Sequence, residues 1–197
     1  MTDMPDLSTA TRRMERVLAG IGDEHLTAPT PCTEADVGAL VDHVLGLTVA
    51  FTSAARKELG EVTSANPPLP STGPGQGDWR SGALGLLDDL ADAWRDPGAW
   101  TGTTRAGGID LPGDIAGLVA LDELVVHGWD LAAATGQPYG CAPTEIAACM
   151  AFAESVSDEQ RTEGGLFGPA VAVPSDAPAM HRLLGLTGRN PSWAPLG

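Results

Sequence analysis

Apolar residues in this chain recur at three- and four-residue spacing through several long segments. Nowhere do apolar and polar residues alternate over a stretch long enough to build a sheet. That pattern directs the chain toward helices packed on helices. Residues 6–20 place Leu7, Ala10, Met14, Val17 and Leu18 on one face, with Asp6 or Ser8 able to cap the start and Gly20 and Gly22 to end it. After a loop marked by Pro29 and Pro31, Thr33 reads as an N-cap, and Glu34 and Asp36 as first-turn acids of a second helix reaching about Leu59. A third helix is expected over 79–95, stopped by Asp96, Pro97 and Gly98. A fourth should run from Pro112 or Asp114 to about Thr135, ended by Gly136, and a fifth from about 143 to 157.

The segments between are less regular. Residues 64–78 hold four prolines and three glycines and read as a long crossover between helices. Residues 100–111 have room for a brief extended piece only. From Gly164 the chain is rich in Pro and Gly, with one short helix expected over 178–188. The expectation is an all-α fold: a four-helix bundle with a long crossover loop, an additional helix and a Pro/Gly-rich C-terminal tail. It should fold as a single domain over residues 1–197, with about 160–197 irregular apart from the short helix.

Composition narrows the function. The 197 residues are 43% hydrophobic, enough for one real core. The formal net charge is −15 and Lys57 is the only lysine. Such a surface repels phosphate backbones and anionic lipid, so neither nucleic acid nor a membrane is expected as a partner. The first ten residues, "MTDMPDLSTA", have no basic n-region and no apolar h-region, and no apolar run approaches the length of a membrane span, so the expected location is the cytoplasm. Cys32, Cys141 and Cys149 are odd in number and include no Cys-x-x-Cys pair, which argues for free thiols over a disulfide framework. Cys32 lies near the start of the second helix, where a helix N-terminus lowers a thiol's pKa, yet it is read as structural.

The fourth helix carries the chemistry. Its stretch "LDELVVHGWDLA" (121–132) is mostly apolar and contains no Lys or Arg. On a wheel, Leu118, Leu121, Val125, Trp129 and Ala132 share one face, and Glu123, His127 and Asp130 share a narrow stripe between apolar flanks. Two readings of that stripe stand. It is a solvent face, or it is part of a metal site, because Glu-x-x-x-His sets an oxygen and an imidazole nitrogen one helical turn apart. Two ligands hold a metal weakly, and a third would come from another helix. His43, in "ALVDHVLGLTV", sits on or beside an apolar face of the second helix; its plain alternative is a core-edge histidine bonded to backbone. His25 and His181 have no ligand-like surroundings. Gly-x-Ser-x-Gly, His-Glu-x-x-His and a Gly-rich nucleotide loop are all absent.

"TPCTEADVGALVDHVLG" followed by "DELVVHGWDLAAATGQP" resembles the DinB-like superfamily. The likeness is greatest to the actinobacterial branch related to the N-terminal domain of mycothiol-dependent maleylpyruvate isomerase. The tail "FGPAVAVPSDAPAMHRLLGLTGRNP" extends the likeness to about residue 191. The resemblance implies a four-helix bundle with a metal held by three side chains: His43, Glu123 (where many relatives carry His) and His127. Asp130 matches a common Asp of the motif and is assigned at most to orienting a ligand. Ala35 stands where relatives commonly have Trp.

By that resemblance the expected function is metal-dependent. A divalent ion, zinc or nickel, would activate a low-molecular-weight thiol of the mycothiol type for S-transfer to an electrophilic substrate, or for isomerisation. The isomerase uses a second, C-terminal domain, and the sequence after residue 160 reads as a short tail, so the broader expectation is a metal-binding bundle. A metal- or ligand-binding module without turnover is the alternative. A homodimer is compatible with either.

Overall fold

Asp6 opens the first helix, its Oδ1 accepting from the Ser8 backbone N–H at 2.9 Å. Helix α1 then runs Ser8–Ala19 and buries Leu7, Ala10, Met14, Val17 and Leu18. The computed structural model describes residues 4–65, 79–157, 160–161 and 167–195. Most of the expected crossover, residues 66–78, therefore lies outside the described residues; just before it, Glu61–Ser64 forms the one-turn helix α3.

The second helix begins later than its sequence suggests. Residues 32–35 form a turn in which Ala35 N–H donates to the Cys32 carbonyl at 3.0 Å, and the Thr30 hydroxyl donates to the carbonyls of Cys32 and Ala35. Asp36 rather than Thr33 is the cap, its Oδ1 accepting from Ala39 N–H at 2.8 Å. Helix α2 is Val37–Ala55. It stops short of Leu59 because Lys57 turns into the left-handed region at φ 59°, from where its Nζ donates to the Ala99 carbonyl at 2.9 Å. By length and composition α2 could cross a membrane, contrary to the sequence expectation, but about two thirds of it is buried against the rest of the protein, as in a core helix.

Helix α4 is Trp79–Ala93 and α5 is Gly113–Ala134. Helices α1, α4, α2 and α5 pack in a ring, each against the next and α5 against α1. Leu40, Val41, Leu87, Leu90, Leu121, Val125 and Leu131 fill its centre. Between α4 and α5 the chain forms a two-stranded antiparallel hairpin, β1 (Thr103–Ala106) and β2 (Ile109–Pro112). The expected extended piece is thus a small sheet. Its turn is possible because Gly107 and Gly108 both take positive φ, 58° and 76°. Thr104 fastens the hairpin to α2, its hydroxyl donating to the Ala54 carbonyl at 2.6 Å.

Helix α6 (Pro143–Ser155) packs on α5, and α7 (Ala179–Leu186) packs on α6. The buried pair Arg13–Glu145, 2.5 Å apart, ties α6 to α1. Cys32, Cys141 and Cys149 are free.

Candidate metal centre

Helices α2 and α5 run antiparallel: His43 meets His127 near one end of their contact, while Phe51 and Ala120 share a niche further along. The His43 and His127 rings stand edge to face, centroids 5.3 Å apart at 90°. One turn back along α5, Glu123 Oε2 lies 3.0 Å from His127 Nε2. One ligand atom from each of His43, Glu123 and His127 lies within 4.8 Å of the other two. The three residues that the sequence set eighty positions apart are therefore brought together. The stripe is not a solvent face: His127 and Asp130 are buried and Glu123 is half-buried. Of the other histidines, His25 accepts from Gly22 N–H at 3.0 Å and His181 is exposed on α7.

The two nitrogens of His127 face different partners. Nε2 faces Glu123, and Nδ1 lies 3.0 Å from Asp130 Oδ2. Asp130 is fully buried. The same Oδ2 accepts from Arg189 Nε at 3.3 Å and Nη2 at 3.1 Å. So the basic partner missing from the 121–132 segment is present, delivered from the tail 59 residues later. Burial works against the His127 cation, but its bonds to Asp130 and Glu123 outweigh that and raise its pKa to about 9. Burial likewise acts against the Glu123 carboxylate, and His127 and His43 hold it below the ordinary range nonetheless. Arg189 keeps its charge in spite of burial because of Asp130.

Gly128 of the same motif has a packing reason. A Cβ there would come within 2.6 Å of Tyr139 Oη, which donates to the Val125 carbonyl at 2.8 Å. The Tyr139 hydroxyl occupies the space beside this turn of α5.

Three neighbours were not assigned to the site from sequence. Arg189 is one; its only sequence signal was the family-like tail. Asp122 is the second: it is buried, and burial followed by the adjacent Glu123 pushes its carboxyl up to about 8. Its Oδ1 has no hydrogen-bond partner among the described residues. The third is Cys32, whose thiol lies within 4.8 Å of ligand atoms of His127 and Asp130. It sits five residues before α2 begins, and burial pushes its pKa up despite Arg189, so no helix N-terminus activates it. On the other side of Glu123 is an apolar niche lined by Val44, Leu47, Phe51, Leu90 and Ala120, with Thr48 as a polar lining residue. The Thr48 hydroxyl is already donated to the Val44 carbonyl at 2.8 Å.

A tetrahedral zinc ion with nitrogen and oxygen ligands near 2.1 Å would need donor atoms separated by roughly 3.4 Å. The three donor atoms here stand within 4.8 Å of one another and include two imidazoles and a carboxylate, so modest side-chain rotation suffices. The donor set fits a borderline divalent ion.

The family model for the mycothiol maleylpyruvate isomerase N-terminal domain matches residues 7–132. The chain belongs to this family. The family lies in the DinB-like superfamily, in keeping with the mostly helical fold. The matched span ends two residues after Asp130 and leaves α6, α7 and Arg189 outside it. An uncharacterized protein of Mycobacterium tuberculosis strain CDC 1551 / Oshkosh and one of strain ATCC 25618 / H37Rv are each 25% identical over 174 residues, 88% of this chain and 90% of theirs. That length reaches beyond the family domain. No solved structure matches the chain.

Proposed function

We propose that this chain is a metal-binding DinB-like bundle that acts on a low-molecular-weight thiol of the mycothiol type, as an S-transferase or isomerase. The observation that carries the reading is the convergence of His43, Glu123 and His127 from two helices onto one point. Membership of a mycothiol-related family supports the thiol. Zinc or nickel is the ion best matched to two imidazoles and a carboxylate.

A bound divalent ion would supply Lewis acidity that favours the thiolate over the thiol. The protein's own part is to present His127 Nε2, Glu123 and His43 together, with three protein ligands leaving room for the thiol sulfur. Asp130 accepts the Nδ1 proton, so that Nε2 is the nitrogen that would give up its proton to take the ion. The three free thiols suit a reducing compartment, and we place the protein in the cytoplasm.

Metal analysis of the purified full chain is the test. The wild type should carry about one divalent ion per chain, and His43→Ala, Glu123→Ala and His127→Ala should each lose most of it. Unchanged metal content in all three variants would remove the reading. Conjugation of a thiol to generic electrophiles tests turnover separately: metal retained with no conjugation would leave the site and remove the transferase.

A further inference from the structure

We propose that the C-terminal segment completes the centre, with Arg189 as a positioning residue that clamps the Asp130 oxygen orienting His127. The inference rests on the metal reading of the site. Its geometric basis is independent of any ion.

Asp130 Oδ2 is the shared atom. It receives His127 Nδ1 at 3.0 Å, Arg189 Nη2 at 3.1 Å and Arg189 Nε at 3.3 Å. A carboxylate held by one imidazole alone could swing about its χ2 bond and take the ring with it. Two guanidinium donors on the same oxygen fix where that oxygen lies, and hence the direction of the Nδ1–H bond. Nε2 on the far side of the ring is then aimed at Glu123, 3.0 Å away, beside the His43 ring. Partners of this kind, one bond beyond a metal ligand, commonly govern metal affinity by 10- to 100-fold.

The guanidinium is itself held before any ligand arrives. Helix α7 ends at Leu186, and Gly188 takes φ 82°, a conformation that reverses the chain. Arg189 N–H then donates to the Leu184 carbonyl at 2.7 Å, and its Nη1 donates to the Thr187 carbonyl at 2.6 Å. A Cβ on Gly188 would meet the Gly168 backbone at 2.9 Å, so the turn is seated against an earlier part of the tail. Leu183 and Leu184 anchor α7 in the core, and the Arg161 guanidinium donates to the carbonyls of Leu186 and Ala153. The tail is thus a fitted element that delivers one fork to one oxygen.

Pinning the tail is the simpler role for such a pair. A buried ion pair is a poor device for that purpose alone, because desolvating both charges offsets most of their attraction. Leu183 and Leu184 already supply apolar anchorage. The pair's location on the carboxylate behind His127 is what a positioning role requires and an anchoring role does not.

The test uses the full chain with Arg189→Ala, Arg189→Lys and Asp130→Asn, read out by cobalt(II) and zinc(II) affinity and by nitrogen-15 NMR of His127 in the metal-free protein. The wild type should show a slowly exchanging Nδ1 proton, and Arg189→Ala and Asp130→Asn should lose its protection. Cobalt and zinc should bind Arg189→Ala 10- to 100-fold more weakly. Arg189→Lys keeps the charge without the two-donor fork and should fall between, so it decides the matter if the alanine variant does not fold. Combining Arg189→Ala with Asp130→Asn should weaken binding no further than Asp130→Asn alone. Wild-type affinity and an undisturbed Nδ1 proton in a folded Arg189 variant would overturn the proposal. Failure of the wild type to bind either ion would instead overturn the metal reading, and the NMR comparison would still decide whether Arg189 orients His127.

Discussion

Glu123 Oε2 lies 3.0 Å from His127 Nε2, the nitrogen that a metal would need. Without metal that contact is a hydrogen bond to an imidazolium whose pKa is raised to about 9. Metal binding at neutral pH must therefore expel the Nε2 proton. Affinity should fall by about tenfold for each pH unit below about 9, with close to one proton released per ion. Titration calorimetry in buffers of different ionisation enthalpy measures that number, and a release near zero at pH 7 would count against the arrangement. In the metal-free protein the sign for stability follows from the same shift. The folded value is above the ordinary 6.5, so the contribution of His127 is fully present below 6.5 and is lost as pH rises through about 9. His127→Gln should remove that slope from urea unfolding between pH 6.5 and 9.

Asp122 adds a second slope of the same sign. Burial, with Glu123 next to it, raises its carboxyl to about 8 from the ordinary 3.8. The folded state then binds this proton more tightly than the unfolded state. Its contribution is greatest below 3.8 and is lost as pH rises through about 8. Asp122→Asn should flatten metal-free stability across that range and be the more stable protein at pH 9. Urea midpoints at pH 5, 7 and 9 decide it; parallel curves for variant and wild type would mean that Asp122 is already ionised at neutrality.

How far the sequence could be read depended on how local the cause was. Periodicity located α1, α4, α5 and α6 because each buries a stripe of its own residues. Helix α2 starts later than a Thr33 cap would set it because Thr30 and the 32–35 turn occupy the backbone groups that such a cap would use. The hairpin was legible only as an extended piece, since four-residue strands show little alternation. Glu123, His127 and Asp130 were visible as a stripe, yet its burial was not, because part of its cover is the tail. His43 joined them through the resemblance. Arg189 could not be paired with Asp130 by any spacing rule, for they stand 59 positions apart and the chain between them passes through α6 and α7.

Gly128 should tolerate no side chain while Tyr139 is present. An alanine Cβ would sit 2.6 Å from Tyr139 Oη and 3.1 Å from its ring, forcing the ring away and breaking its bond to the Val125 carbonyl. The cost should be about 1–3 kcal/mol, combining overpacking with a lost buried hydrogen bond. Gly128→Ala combined with Tyr139→Ala should cost less than the sum of the two single changes, since the clash is gone. Additive losses in thermal or urea unfolding would show that the glycine serves some other purpose.

Arg13 and Glu145 pose the opposite case, a charge pair buried away from the cluster of His43, Glu123 and His127. Their side chains are 7% and 6% exposed, and Glu145 Oε2 also accepts from Ala142 N–H at 2.8 Å to start α6. Arg13 Nη1 and Glu145 Oε1 have no partner among the described residues, so the pair is incompletely satisfied. Removing one member leaves the other charged in the interior, and Glu145→Ala should destabilise by about 3–5 kcal/mol. Replacing both with apolar residues, Arg13→Met with Glu145→Leu, should recover most of that loss, because neither charge is then stranded; the part not recovered, about 1 kcal/mol, is the α6 cap. A four-cornered cycle of urea unfolding measures the coupling. A double variant as unstable as Glu145→Ala would mean that the helix cap, and not the charge pair, fixes α6 against α1.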